Sequence, residues 1–184
     1  MTNRPTKPLF VVSLAVAMLA GGGHNASAQL PAAIVAPPNE TALATLHAEG
    51  AQIYECKAGN DSKLVWTFRE PVATLLLDGK TIGRHYAGPT WEHMDGSAVV
   101  AKIVAITAGK TIADVPWLRL QVTERRGSGA LAGMMTVQRI NTKGGARTGG
   151  CEKAAVRRHV RRDLRGDFAA VEIIHARRGD AVQR

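Results

Sequence analysis

Residues 117–124 read WLRLQVTE, and this segment decides the fold class because apolar and polar side chains alternate along it. Strict alternation places the apolar side chains on one face of a half-buried strand. Similar short runs rich in Val, Ile, Leu and Thr recur at 52–56, 64–68, 72–77, 98–106 and 135–140. Turn residues separate them at Asp78-Gly79, Asp95-Gly96 and Gly127-Ser128-Gly129. We predict an all-β domain over residues 48–151, a single antiparallel β-sandwich or barrel.

Two further features refine this prediction. Residues 29–47 form an N-terminal extension in which Pro37-Pro38 favours an extended chain. Asn39 then predicts the cap of a short helix running through Glu49, with Gly50 at its end. The segment 98–106 is nearly apolar, which predicts a strand buried on both faces.

The N-terminus has the pattern of a signal peptide over residues 1–28. Arg4 and Lys7 precede an uncharged run at 9–20, which is too short to cross a bilayer as a helix. Ala26-Ser27-Ala28 fits the small-residue cleavage pattern and predicts cleavage before Gln29. We therefore expect a periplasmic or secreted protein with no transmembrane segment after cleavage. An uncleaved N-terminal anchor is the alternative.

Composition excludes several classes of protein. Of 184 residues, 45% are hydrophobic and 21% are charged, which excludes wholesale disorder and low-complexity fibres. Two cysteines are too few for a disulfide-dense scaffold or a four-cysteine zinc module. In an oxidising compartment, Cys56 and Cys151 predict a disulfide, which for a loop this long contributes about 4 kcal/mol. A thiol nucleophile or a pair of metal ligands is the alternative.

Positive charge is concentrated near the C-terminus. The formal net charge is +9, and the last 34 residues hold nine basic and five acidic side chains, with arginine doublets at 157–158, 161–162 and 177–178. Export argues against nucleic acid as the partner, and the tail lacks tyrosine and tryptophan for base stacking. An anionic envelope polymer or lipid surface is the expected partner of such a tail.

The stretch 85–97 holds the candidate site residues, which are His85, Tyr86, Trp91, Glu92, His93 and Asp95. The histidines and carboxylates could bind a metal, or Glu92 and Asp95 could act as an acid and base pair. Tyr86 and Trp91 could instead stack on a sugar ring. The spacing matches no established metal motif, so we predict no metal and no cofactor. A Gly-Pro turn, a buried Trp91 and a Glu92 or Asp95 that caps turn amides explain the same residues without any ligand. We expect Trp91 to lie in the core.

Several motifs together carry a family resemblance. They are GAQIYEC at 50–56, WTF at 66–68, HYAGPTWE at 85–92, DGS at 95–97, WL at 117–118 and QRINTKGG at 138–145, up to Cys151. The chain resembles, over about residues 48–151, the secreted bacterial and fungal family catalogued as the domain of unknown function numbered 3455. The resemblance implies an exported β-rich domain and no established activity.

The chain departs from that family after Cys151. Family members usually continue into a final strand rich in tyrosine and phenylalanine, whereas Phe168 is the only aromatic residue in 152–184. This basic tail is interpreted as a frameshift product, as a disordered segment, or as a divergent tail in which Val156, Val160 and Leu164 form a helical stripe.

These features predict a non-catalytic exported protein. Its β domain would bind an envelope or extracellular ligand, such as a glycan, through the 85–97 loop, or serve a structural role. The alternative is a secreted hydrolase that uses Glu92 and Asp95 with His85 or His93.

Overall fold

The chain folds into one closed antiparallel barrel of eight strands. A computed structural model describes residues 30–147, 151 and 164–178. The strands are β1 (Glu40–Ala58), β2 (Leu64–Leu77), β3 (Lys80–Tyr86), β4 (Thr90–His93), β5 (Ala98–Thr107), β6 (Trp117–Arg126), β7 (Met134–Gly144) and β8 (Leu164–Arg177). Each strand pairs with the next along the chain, and β8 pairs with β1. The all-β prediction is confirmed, and the barrel is the architecture that forms.

The predicted N-terminal helix is wrong. Residues 39–49 lie largely in β1, and the helical structure found ahead of it is a short 3-10 turn at Ala32–Ile34. Leu46 and Ala48 are fully buried, while the intervening His47 is exposed, so the side chains follow a period of two. Both edges of β1 are paired, one with β2 and the other with β8. These two ladders satisfy the backbone groups and override the weak local helix signal.

The barrel extends beyond the predicted limits of 48–151 at both ends. It begins at Glu40, inside the predicted N-terminal extension. It also includes Leu164–Arg177 from the predicted tail, because β8 pairs with β7 on one edge and with β1 on the other. Leu164, predicted on a helical stripe, begins this strand. Val156 and Val160 lie outside the described residues, as do the predicted signal peptide and its cleavage site.

Local turn chemistry is confirmed where the hairpins are short. Asp78 and Gly79 both have positive φ, 50° and 75°, and connect β2 to β3 directly, with Leu77 opposite Lys80. A tight two-residue hairpin turn requires positive φ at both residues, because its twist then matches the twist of the flanking strands. The Asp95-Gly96 pair likewise connects β4 to β5, with Gly96 at φ 85°.

β5 departs from the expectation that it is buried on both faces. Ala98, Val99 and Ala101 are buried, but Ile103 and Ile106 are 48% and 60% exposed. Two irregularities in its pairing with β6 accompany this change. The exposed half of the strand borders the opening of the barrel interior.

The predicted disulfide joins Cys56, near the end of β1, to Cys151 beyond β7. Their Cα atoms are 5.9 Å apart, and the Cys151 N–H donates to the carbonyl of Leu64 on β2 over 3.1 Å. A disulfide is consistent with an extracellular or periplasmic protein. Among the described residues, no helix is long and apolar enough to cross a membrane.

Candidate functional site

The predicted site residues do not converge, because successive residues of β3 and β4 face opposite sides of the barrel wall. His85 and Trp91 are directly paired across these strands and face the interior. Tyr86 and Glu92 bond each other on the other face. His93 and Asp95 lie where β4 turns into β5. Across the described chain, no group of three His, Cys, Asp or Glu side chains could hold a metal ion.

His85 and Trp91 form a stacked pair inside the barrel. Their ring centroids are 4.2 Å apart with an interplanar angle of 21°, and both side chains are almost completely buried. The His85 Nδ1–H donates to the Thr90 carbonyl over 3.0 Å. Burial lowers the pKa of His85 to about 3, so the imidazole is neutral at physiological pH. The predicted burial of Trp91 is confirmed.

Glu92 belongs to a cluster on the outer face of the barrel. Its carboxylate accepts a hydrogen bond from the Tyr86 hydroxyl over 2.7 Å and contacts Arg84 and Arg126 over 2.8 and 3.2 Å. The Arg84 guanidinium also lies over the Tyr86 ring, 5.0 Å from its centroid. The Tyr86 and Arg84 hydrogen bonds lower the pKa of Glu92. The carboxylate therefore stays ionised and is unsuited to act as a general acid.

Asp95 fastens the β4–β5 turn to a neighbouring loop. Its Oδ1 accepts from the Ser97 N–H and hydroxyl over 2.8 and 2.6 Å. Its Oδ2 accepts from the Ala130 N–H over 2.7 Å. These hydrogen bonds hold the pKa of Asp95 far below its usual value. Asp95 therefore caps the turn, which is the role that the ligand-free interpretation of the sequence gives it.

We expect Asp95→Ala to lower the free energy of unfolding, because it leaves three donors without their charged acceptor. Urea denaturation measures this change. Asp61→Ala is the matched control, since Asp61 caps an exposed turn through Lys63, and its loss in the same measurement should be clearly smaller. Equal losses in the two variants would contradict the role assigned to Asp95.

His85 and Trp91 border an interior cavity of about 380 Å³. Gln52 from β1 and Arg139 from β7 supply polar side chains to its lining. Apolar side chains complete much of the wall, and Phe68, Ile103 and Ile106 line it while remaining 50%, 48% and 60% exposed. The cavity therefore opens to solvent through a mouth formed by these three apolar residues, and Arg69, which is paired with Glu70, also lines it.

Two buried donors at this cavity, among the residues that the structure describes, lack a protein acceptor. Arg139 is 8% exposed and donates through Nη2 to the Pro116 carbonyl over 3.0 Å, but its Nε–H has no partner. The Gln52 amide nitrogen is also buried and unpartnered. Buried polar groups in native proteins are nearly always hydrogen-bonded, so two such donors at one cavity are unusual.

Glu172 of β8 is a buried acid opposite Arg139 in the β7–β8 register. Neither of its carboxyl oxygens has a hydrogen-bond partner, and no ion pair joins it to Arg139. Burial raises the pKa of Glu172 to about 8, against smaller opposing effects of Arg139 and the nearby Trp91 N–H. The carboxyl group is therefore mostly neutral at pH 7.

Sequence reasoning missed Gln52, Arg139 and Glu172. The available signal was a polar or charged residue within an apolar strand pattern, as Arg139 is between Val137 and Ile140.

A family model described as "Protein of unknown function (DUF3455)" matches residues 37–162. The chain belongs to the DUF3455 family. No curated protein and no solved structure matches this DUF3455 protein.

The stability of this DUF3455 barrel should decline as pH rises from about 4.5 to about 8 because of Glu172. The unfolded chain releases the Glu172 proton near its usual pKa of 4.5, whereas the folded protein retains it to about 8. The free energy of unfolding therefore falls as pH rises between these two values. Glu172→Gln should remove this decline, as measured by melting temperature at pH of about 5, 7 and 9.

Glu92→Gln is the control for that experiment. The pKa of Glu92 is lowered, so its charge contributes stability above pH 4.5 that is lost as pH falls. The control should therefore alter the profile below pH 4.5 and leave the decline between pH 4.5 and about 8 in place. A Glu172→Gln protein with the full decline over that range would contradict the assignment.

Proposed function

We propose that this DUF3455 protein is an exported, non-catalytic binding protein whose small-molecule ligand occupies the barrel interior. The observation that carries the proposal is the cavity of about 380 Å³ lined by His85, Trp91 and Arg139. Its size lies within the range of small-molecule sites, which combine mostly apolar walls with a few convergent polar groups.

The mouth of the cavity supports the same proposal. Phe68, Ile103 and Ile106 keep about half of their surface exposed around the opening. Large apolar side chains grouped at an opening give an apolar molecule a favourable surface on its way in. Trp91 and the unpartnered donors lie deeper, where they would orient the polar part of a ligand.

The geometry does not favour the hydrolase alternative. Glu92 is held by Arg84, Tyr86 and Arg126 on the outer face. Asp95 is fully engaged in a turn, and His85 is neutral and bound to a backbone carbonyl. The two carboxylates and the imidazole therefore do not share a site at which a substrate bond could be cleaved.

Stacking of a sugar on Tyr86 or Trp91 has little support, because Arg84 lies over one ring and His85 over the other. Binding of an anionic envelope polymer by the basic tail stays a prediction. The doublets Arg157-Arg158 and Arg161-Arg162, on which it depends, lie outside the described residues. Export rests on the leader pattern of residues 1–28 and on the Cys56–Cys151 disulfide.

Titration with the neutral fluorescent probe N-phenylnaphthylamine tests the cavity. We expect a saturable rise in probe fluorescence with the oxidised protein. Ile106→Asp should weaken probe affinity at least about fivefold, because it places a charge in the apolar mouth. The matched control is Ile112→Asp, since Ile112 is 89% exposed and does not line the cavity.

The proposal fails if the wild-type protein gives no saturable signal. It also fails if the variants at 106 and 112 bind the probe equally well, because the probe would then bind elsewhere. Melting temperatures of both variants, measured in parallel, establish that they are folded.

A further inference from the structure

We infer that the cavity selects amphipathic carboxylates, with the carboxylate bound by Arg139 and the hydrocarbon part extending toward the mouth. This inference rests on the proposed function and adds the chemical class of the ligand. It concerns any molecule with a single carboxylate head and an apolar body short enough for a cavity of about 380 Å³.

The first observation is a buried cation without a counter-charge. Arg139 is 8% exposed, and it donates to the neutral carbonyl of Pro116. Among the side chains that the structure describes, which leave out 164–169 and 171, no acidic group forms an ion pair with Arg139. A buried guanidinium without an ion-pair partner is stabilised most by an anion that accepts hydrogen bonds from it.

The acidic and phenolic groups that face Arg139 do not supply that anion. Glu172 is the carboxyl group opposite it, and burial keeps this group mostly protonated at neutral pH. Tyr54 also faces Arg139, but its hydroxyl donates to the Gly145 carbonyl over 2.7 Å and burial raises its pKa. Both groups are therefore neutral when Arg139 is charged.

The second observation is the type of orphaned atom at the cavity. Arg139 Nε and Gln52 Nε2 are both donors, so they match a ligand group that only accepts hydrogen bonds, whereas the Trp91 indole N–H acts on the Glu172 carboxyl. An ionised carboxylate is such a group, and its planar pair of oxygens suits a guanidinium. An alcohol accepts less strongly, and an ammonium group would add a second buried cation.

The third observation is the separation of the polar and apolar lining. Gln52, Trp91 and Arg139 are at most 8% exposed, whereas Phe68, Ile103 and Ile106 are about half exposed. The charged end of a ligand would therefore lie deep in the barrel and the hydrocarbon end toward solvent. Arg69, next to Phe68, also lines the cavity, but it is paired with Glu70 and exposed, so Arg139 is the buried cation of the lining.

Displacement of bound N-phenylnaphthylamine by decanoate, decanol and decylamine tests the inference on the wild-type protein. The three molecules share one hydrocarbon tail and differ in the head group. We expect decanoate to displace the probe at about tenfold lower concentration than decanol, because a charged hydrogen bond is gained. Decylamine should be the weakest of the three.

Variants connect this preference to Arg139. Arg139→Met should abolish the advantage of decanoate over decanol, while Arg139→Lys retains part of it. Arg126→Met removes an exposed guanidinium from the outer cluster and is the matched control with an unchanged preference. If Arg139→Met does not fold, Gln52→Leu replaces it, and should reduce the preference by removing one donor.

Equal displacement by decanoate and decanol, or a stronger effect of decanol, would overturn the inference while leaving the probe result and the proposed function intact. A decanoate preference that survives Arg139→Met and Gln52→Leu would also overturn it. Absence of probe binding in the wild-type protein would instead reject the proposed function itself.

Discussion

Truncation after Cys151 should leave no folded barrel. It removes β8, which hydrogen-bonds to β7 on one edge and to β1 on the other. It also removes the buried side chains of Ala170, Ile174 and Ala176 from the core. Because a domain of this size is stable by about 5 to 15 kcal/mol, loss of two strand pairings and of their buried surface exceeds that margin.

Circular dichroism and thermal melting measure the outcome. The truncated protein should show no cooperative melting transition and should aggregate, since both freed edges, on β1 and β7, can pair with other chains. The matched control ends at Arg178, which retains all of β8. It should melt within about 2 °C of the full chain. A cooperative, wild-type transition after truncation at Cys151 would show that β8 is dispensable.

Trp91→Ala should destabilise the barrel by about 3 to 5 kcal/mol. Trp91 is 1% exposed and is among the largest fully buried side chains of the described chain. The substitution removes its apolar contacts and leaves a void beside the existing cavity, next to the stacked ring of His85. That loss is a large part of the stability of a single domain.

Urea denaturation of Trp91→Ala measures the loss, and Trp66→Ala is the matched control. Trp66 on β2 is only half-buried, so its removal should cost less than about half as much. A soluble Trp91→Ala protein with an unchanged melting temperature would contradict the core role. It would instead favour the interpretation that Trp91 contributes to ligand binding and not to stability.

Local sequence patterns were sufficient for the fold class. The alternation in residues 117–124 becomes β6, with Leu118, Leu120 and Val122 buried. The Asp78-Gly79 pair forms its tight turn, and the two cysteines form the disulfide. Alternation and positive-φ turns depend on neighbouring residues, so they can be identified without knowing which strands meet.

Local patterns were not sufficient for the ends of the barrel. Residues 40–49 carry helix-favouring signals, yet pairing with β2 and β8 makes them part of β1. The arginine-rich tail contributes β8 because its backbone hydrogen-bonds to both β7 and β1. These backbone hydrogen bonds form whatever the side-chain composition of the segment. The pairing of β1 with β8 joins residues more than 100 positions apart, which a local window does not contain.

The candidate site illustrates the same division. The sequence by itself determined that 85–97 concentrates aromatic and charged residues and that Trp91 belongs in the core. Only the tertiary structure decided that His85 and Trp91 face inward while Tyr86 and Glu92 face outward, because the register of β3 on β4 selects the face. It also brought Gln52 and Arg139 from distant strands to one cavity and Glu172 opposite Arg139. Closure of the barrel creates that shared interior, and no local pattern encodes it.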